Sequence, residues 1–448
     1  MQINFKEHKF VVIGAGLTGC SIIDYLRYQN AQILRVLDTR NSPPKIDGIK
    51  VIGGDLQWEQ VADSDIIAIS PGVSLAEPVL QQALRHNKKV VGDIELFAQA
   101  IASWPSRVIG ISGSNGKTTV TSLTGFLAQE SGISTLIAGN IGTPALSAYL
   151  ESQKKGYIPQ LIVLELSSFQ LETTISLRLD SASVLNLSED HLDRYCDLLE
   201  YASAKARIFA NCALQVLNAA DPLVMAMRRS YCQQLFFAED NAEYSLHTAN
   251  HELYLMIKNK PFIAVSQLQL MGTHNYINCL ASLALLAGAG YDLFCFRSAL
   301  TRFKGLEHRM QKVCEHNGIL YIEDSKGTNV GAVIAGVTGI SRPVNLILGG
   351  DGKAQDFSPL RSLVQGKCKS VALIGQDALL IAEVLQGLPR VQLCNSLEDA
   401  VAWCIANSAP GDAVILSPAC ASWDMFTDYK HRAQVFIETV YAYTQKIV

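Results

Sequence analysis

Long apolar runs are missing from this sequence. Its opening, MQINFKEHKF, is polar, the apolar stretch that follows is cut by Asp24, and no run reaches the roughly 18 residues of a membrane-crossing helix. The chain is therefore expected to be unexported, cytoplasmic and independent of the membrane. Blocks of one charge are also absent: 37 Lys and Arg stand against 41 Asp and Glu, for a formal charge of −4. Without a basic patch there is no electrostatic footprint for nucleic acid or an anionic lipid surface, so small-molecule partners are favoured. Cysteine is present but unorganised. The 11 cysteines are odd in number, run from Cys20 to Cys420, and form no CxxC pair or Cys/His cluster with zinc spacing. They read as reduced core residues. Internal repeats and low-complexity segments are lacking as well.

What the sequence does have is apolar content, 49% of 448 residues. At about 150 residues per domain this suggests roughly three domains, each with a sizeable core. Short β-rich runs recur and end in Gly, Ser, Asn or Pro: FVVIGAG, DIIAISPG, RVIGISGS, LIVLELSS, ASVLNLSED, LQVLNA, NLILGG, VALIG and AVILSPA. Helix-length amphipathic stretches such as 119–131 and 277–289 lie between them. Such alternation predicts an α/β chain with largely parallel sheets, whose ligands sit at the carboxyl ends of strands. New strand-and-loop patterns begin near 95 and near 305, giving expected domains at 1–95, 96–305 and 306–448.

Two glycine loops carry the chemistry. In the first, FVVIGAGLTG places Gly14, Gly16 and Gly19 after a strand, and Asp38 closes the next strand. Glycines there allow a tight turn and the close approach of a pyrophosphate to a helix N-terminus. NAD and UDP-sugars share that group, so the loop does not choose between them. A turn that only packs helix on strand is the plain alternative. In the second, the strand RVIGIS runs into Gly113, Ser114, Asn115, Gly116, Lys117, Thr118 and Thr119 ahead of a helical stretch. Successive amides can cradle phosphates, Lys117 can reach β- and γ-oxygens, and the Thr118 hydroxyl can bind Mg²⁺. The spacing departs from the usual phosphate loop, since Ile111 stands where a glycine is common.

With that departure, G-x-x-G-x-N-G-K-T-T resembles the ATP loop of the Mur ligases and of the related folylpolyglutamate synthases. Further Mur-like segments follow in family order over almost the whole chain: GNIG at 139–142, ELSSFQL at 165–171, NLSEDHLDRY at 186–195, YASAK at 201–205, GTHNYIN at 272–278, EHR at 307–309, DSKGTN at 324–329, GGDGKAQDF at 349–357 and SPACASWDMF at 417–426. DSKGTN and SPACAS resemble the D-glutamate-adding branch. The DNPR segment typical of the branch that adds a diamino acid is absent.

The resemblance implies a Rossmann-like N-terminal domain, a P-loop ATPase-like centre and a Rossmann-like C-terminal domain, in a chain expected to act as a monomer. It further implies an ATP- and Mg²⁺-dependent amide ligase of peptidoglycan synthesis, joining UDP-N-acetylmuramoyl-L-alanine and D-glutamate through an acyl phosphate. Lys117, Asn140, Glu165, His191 and Lys205 would be the catalytic set, with Thr118, Glu165, His191 and a carbamylated Lys205 at the metal. Asn278, Arg309, Asp324 and Lys326 would join residues 113–119 around ATP; Arg309 follows Glu307-His308, where the family commonly has proline before the His-Arg pair. Thr328, Lys353, Ser422 and Tyr429 would grip D-glutamate, and Leu17, Thr18, Asp38, Thr39, Arg40 and Gly72 the UDP substrate. Asp190 and Asp193 read as local hydrogen-bonding residues. Plainer readings stand beside these: Glu165 as a helix cap, His191 as structural, Lys205 as a solvated helix lysine. The rival classes are a nicotinamide oxidoreductase built on Gly14–Gly19 and a non-catalytic ATP-binding switch.

Overall fold

The computed structural model describes residues 3–191, 194–270, 272–388 and 390–445. Asp193 lies outside them. The first sheet comprises β1 Lys9–Ile13, β2 Gln32–Asp38, β3 Val51–Gly53, β4 Ile66–Ile69 and β5 Lys89–Gly92, all parallel and ordered β3-β2-β1-β4-β5. Chain order reverses between β1 and β4, which opens a crevice beyond their carboxyl ends. Gly14 and the turn starting at Ser70 meet there, the Ser70 amide donating to the Ile13 carbonyl at 2.9 Å.

The central sheet has a parallel core of β6 Arg107–Ser112, β7 Thr135–Gly139, β8 Leu161–Glu165, β9 Leu179–Val184, β10 Cys212–Asn218 and β11 Gln233–Phe237. It is extended by β12 Tyr244–Ala249, β13 Glu252–Ile257 and β14 Lys260–Ala264, in the order β14-β13-β12-β11-β10-β9-β6-β8-β7. The third sheet, β15 Gln311–His316, β16 Ile319–Glu323, β17 Val344–Gly349, β18 Cys368–Ile374, β19 Val391–Leu393 and β20 Ala413–Leu416, is ordered β15-β16-β20-β17-β18-β19. LIVLE of β8 is buried at every position, as a strand covered on both faces requires. Each of its fully buried large side chains stabilises the fold by roughly 1.5–3 kcal/mol.

The edges differ from the parallel expectation. β12, β13 and β14 run antiparallel, as do β15 and β16. Two-residue turns make these hairpins, with positive φ at Asn250 and His251, Lys258 and Asn259, and Asn317 and Gly318. This is the turn geometry that matches strand twist.

The two domain junctions are unlike. One apolar core runs from the first sheet into the centre, through Phe10, Ile22, Leu96, Leu146 and Ile162, with Tyr25 and Trp104 packed on the Tyr149 ring. Beside the phosphate loop, the link from the central to the C-terminal sheet is polar: Asn329 Nδ2 donates to Asn115 Oδ1 at 3.0 Å. No helix among the described residues is long and apolar enough to cross a membrane.

Candidate active site

The second glycine loop leaves β6 and turns into the helix Lys117–Glu130. Gly113 and Gly116 take φ of +142° and +81°, backbone that side chains rarely adopt. The segment that follows the neighbouring strand β9 holds the loop's shape. Asn115 N donates to Asn186 Oδ1 at 2.8 Å, Asn186 Nδ2 donates to the Asn115 carbonyl at 3.1 Å, and the Ser114 hydroxyl donates to the Ser188 carbonyl while accepting from the Ser188 amide. NLSED is thus the scaffold of the phosphate loop, because β6 and β9 are adjacent.

Two lysines converge on one carbonyl. Lys117 Nζ folds back to donate to Gly113 O at 2.6 Å and Ser114 O at 2.8 Å, and Lys205 Nζ donates to the same Gly113 O at 2.9 Å. Lys205 is 1% exposed, so it is no solvated helix lysine; it points inward from the helix Leu198–Ala206 and lies 4.5 Å from the Tyr201 ring centre. Burial pushes both ammonium groups below the ordinary lysine range, and Lys117 lowers Lys205 further. Asp190 and Glu165 pull the other way.

Glu165 ends β8 and is 2% exposed. Its Oε1 accepts from Asn140 Nδ2 at 2.9 Å, while Oε2 is buried without a hydrogen-bond partner. The helix that follows is capped by Ser167 in a capping box with Gln170, so Glu165 is not the cap. A buried anionic oxygen with an open coordination direction suits a hard cation. His191 has φ of +58° and stacks edge-on to Phe169 at 4.8 Å. Burial depresses its pKa against the pull of Asp190, with Lys353, Lys205 and Lys117 adding to the depression, which favours a neutral imidazole able to lend a lone pair.

A cavity of about 200 Å³ opens beside the loop, lined by Asn115, Gly116 and Thr119 together with Asn278, Arg309, Asp324 and Lys326. The four residues expected around adenine and ribose thus come together with the phosphate loop. Asp324, raised to about 7 by burial, accepts from Ser417 Oγ at 2.7 Å and from Met310 N at 3.1 Å. His274, which also lines the cavity, was not foreseen.

The residues expected at D-glutamate divide. Thr328 and Lys353 meet Asp190 and His191 across a gap of about 10 Å³. Ser422 is buried next to Ala421, which bridges to Asp351, two residues before Lys353. Tyr429 instead lies 4.1 Å beneath Lys326 Nζ. In the N-terminal crevice, Asp38 is saturated: its carboxylate accepts from Ala15 N, Arg40 N and the Arg40 guanidinium, and Arg40 holds its pKa well below the carboxylate range. Leu17, at 84% exposure, Thr39, Arg40 and Gly72 are exposed in the segments that follow β1, β2 and β4, with Thr18 half-buried.

Known proteins match this architecture. Three family models align in order, Mur ligase MurD-like, N-terminal domain over residues 8–92, Mur ligase middle domain over 111–286, and Mur ligase, glutamate ligase domain over 308–420. The chain is 45% identical to the UDP-N-acetylmuramoylalanine–D-glutamate ligase of Chromobacterium violaceum, an alignment covering 98% of this chain and 99% of that one. It belongs to the Mur ligase family, on the D-glutamate-adding branch. The ligase of that name from Nitrosomonas europaea is 43% identical over 100% of this chain and 98% of its own. The MurF ligase of Thermotoga maritima, solved in complex with ADP, shares the three-domain fold with a TM-score of 0.65 at 16% identity, over 98% of this chain and 95% of that one.

The motifs left some of the ligase's framework unseen. Arg432 is fully buried and binds Ser325 Oγ, the Ser325 carbonyl and the carbonyls of Cys420 and Ala421. It fastens the DSKGTN loop to the SPACAS loop. His308 Nδ1 and Glu323 Oε2 are paired at 2.8 Å beside Arg309.

Proposed function

We propose that this ligase joins D-glutamate to UDP-N-acetylmuramoyl-L-alanine through an acyl phosphate. A carboxylate oxygen of the alanyl group attacks the γ-phosphorus of ATP, the bond to the β-phosphate oxygen breaks, and ADP leaves. The amino nitrogen of D-glutamate then attacks the acyl carbon, the carbon–oxygen bond to phosphate breaks, and the nitrogen gives up a proton. The observation that supports this most is the pair of lysines sharing the Gly113 carbonyl next to the unpaired Glu165 oxygen. Phosphoryl transfer is mainly positioning and charge neutralisation, and this arrangement supplies both.

In this reading residues 1–95 bind the UDP substrate through Leu17, Thr18, Asp38, Thr39, Arg40 and Gly72. Asp38 would shape the crevice through Ala15 and Arg40, leaving Arg40 and the open loop to face the ligand. Residues 96–305 bind ATP phosphates on 113–119, with Asn278 and, from residues 306–448, Arg309, Asp324 and Lys326 around the nucleoside. Thr328, Lys353 and Ser422 receive the two carboxylates of D-glutamate, with Tyr429 alongside.

The donor set fits a magnesium ion. Glu165 would hold it with Thr118 and His191, and Asn140 would orient Glu165. A magnesium ion keeps several waters and phosphate oxygens, so few protein donors are needed. When bound, it supplies charge neutralisation to the phosphates. Lys205 would serve as a carbamate: its buried, readily deprotonated amine adds to CO₂ and loses a proton, turning a cation beside Lys117 into an anionic oxygen donor.

The test is product mass. With ATP, Mg²⁺, UDP-N-acetylmuramoyl-L-alanine and D-glutamate, the ligase should yield a product heavier by one glutamyl residue and one ADP per product. D-glutamine and D-alanine, which leave carboxylate-binding donors unpaired, should react with far lower kcat/KM. Equal use of all three overturns the reading.

A further inference from the structure

We propose that Arg194 is a positioning residue that docks the UDP-substrate crevice onto the phosphoryl-transfer centre by gripping the carbonyls on either side of Gly72. The proposal rests on the reading of that crevice as the UDP-substrate site. Arg194 lies three residues beyond His191, in the loop after β9. Its Nη1 donates to the Pro71 carbonyl at 2.9 Å, and its Nη2 to the Val73 carbonyl at 3.4 Å and to Glu172 Oε2 at 2.6 Å. Those carbonyls belong to the turn after β4, at the point where strand order reverses.

The guanidinium is held from the central side as well. It lies 4.0 Å from the Phe169 ring centre, and the Tyr195 hydroxyl donates to Glu172 Oε1 at 2.6 Å. Phe169 and Glu172 sit on the helix Ser168–Glu172, which starts three residues after Glu165, and Phe169 also packs on His191. One planar group therefore touches the crevice turn, the helix behind Glu165 and the loop that carries His191. A fork with fixed donor directions can do this; a lysine, with one flexible nitrogen, cannot reach all three.

The consequence is geometric. UDP-N-acetylmuramoyl-L-alanine would be gripped at its nucleotide end, whereas its reacting carboxylate is at the other end. The docking of the crevice then sets the distance of that carboxylate from the γ-phosphate, and an error of about 1 Å can cost roughly a hundredfold in rate.

Steady-state kinetics of R194M, R194K and E172Q test this, with Tm measured on each. R194M should raise KM for the UDP substrate and lower kcat, each about tenfold, while KM for ATP stays within about twofold and Tm holds. E172Q, which keeps the carbonyl grip, should change both by less than about threefold. If R194M does not fold, R194K carries the test, since it retains a cation beside Glu172 but loses the fork; it should raise the UDP-substrate KM with Tm intact. An unchanged UDP-substrate KM in the folded variant, or a rise matched by the KM for ATP, overturns the proposal. Absence of wild-type turnover with the UDP substrate would instead fail the reading on which it rests, which also removes this inference.

Discussion

The ligase carries two glycine loops built on the same rule and finished differently. In the N-terminal loop, Gly14 and Gly19 are fixed by the protein itself: a Cβ on Gly19 would lie 1.8 Å from the Gly14 carbonyl and one on Gly14 would lie 2.6 Å from Ser70 Oγ, yet a Cβ on Gly16 would meet nothing within 4 Å. A side chain at Gly16 would therefore meet only open space. In the central loop, Lys117 and Lys205 instead donate to the Gly113 carbonyl, and Asn186 and Ser188 tie the loop down. In the proposed reading, open backbone would suffice to hold a diphosphate that does not react. A loop that must move a phosphoryl group needs cations packed in beforehand, where they are worth more than in water.

Substitutions can break this contrast. The largest effect belongs to Lys117→Ala, which should lower ADP release by about a thousandfold or more while thermal stability is kept; a folded variant with near-normal rates refutes the role. Next is Lys205→Ala, expected to lose most activity, on the order of a hundredfold, and to regain part of it in high acetate, which resupplies an anionic oxygen. Full activity of this variant, with native mass spectra showing an unmodified lysine in the parent, would remove the carbamate from the account. The N-terminal loop should respond through one substrate only. Gly16→Val should leave Tm nearly unchanged and raise KM for the UDP substrate by about tenfold, whereas Gly19→Ala should destabilise the fold by about 1–3 kcal/mol through overpacking. Smallest is Arg40→Ala, with a rise of roughly threefold in that KM and none in the KM for ATP, because a half-exposed pair contributes little.

Sequence reading brought together residues that the structure also groups where the motifs are local. Both loops and the strand-ending Glu165 are each carried by a few contiguous residues, and Asn278, Arg309, Asp324 and Lys326, which share one cavity, come from three short motifs. It fell short where function depends on what one segment packs against. Asn186 scaffolds the phosphate loop only because β6 and β9 are neighbours, and nothing in YASAK says that its lysine is buried rather than solvated. Tyr429 falls beside Lys326 because the helix Tyr429–Gln445 starts there. The Asn317–Gly318 pair is a hairpin signal in the sequence, and the parallel pattern of the surrounding runs masks it. Arg432 offered no signal at all, since an arginine is seldom buried and its four acceptors come from two distant loops.

Binding calorimetry on the wild type, Gly16→Val and Lys117→Ala, each titrated with UDP-N-acetylmuramoyl-L-alanine, ATP with Mg²⁺, and NADH, tests most directly that the two loops hold different ligands. The account predicts that Gly16→Val weakens only the UDP substrate, that Lys117→Ala weakens only ATP, and that NADH does not bind. Tight NADH binding that Gly16→Val abolishes, with no binding of the UDP substrate, would contradict it.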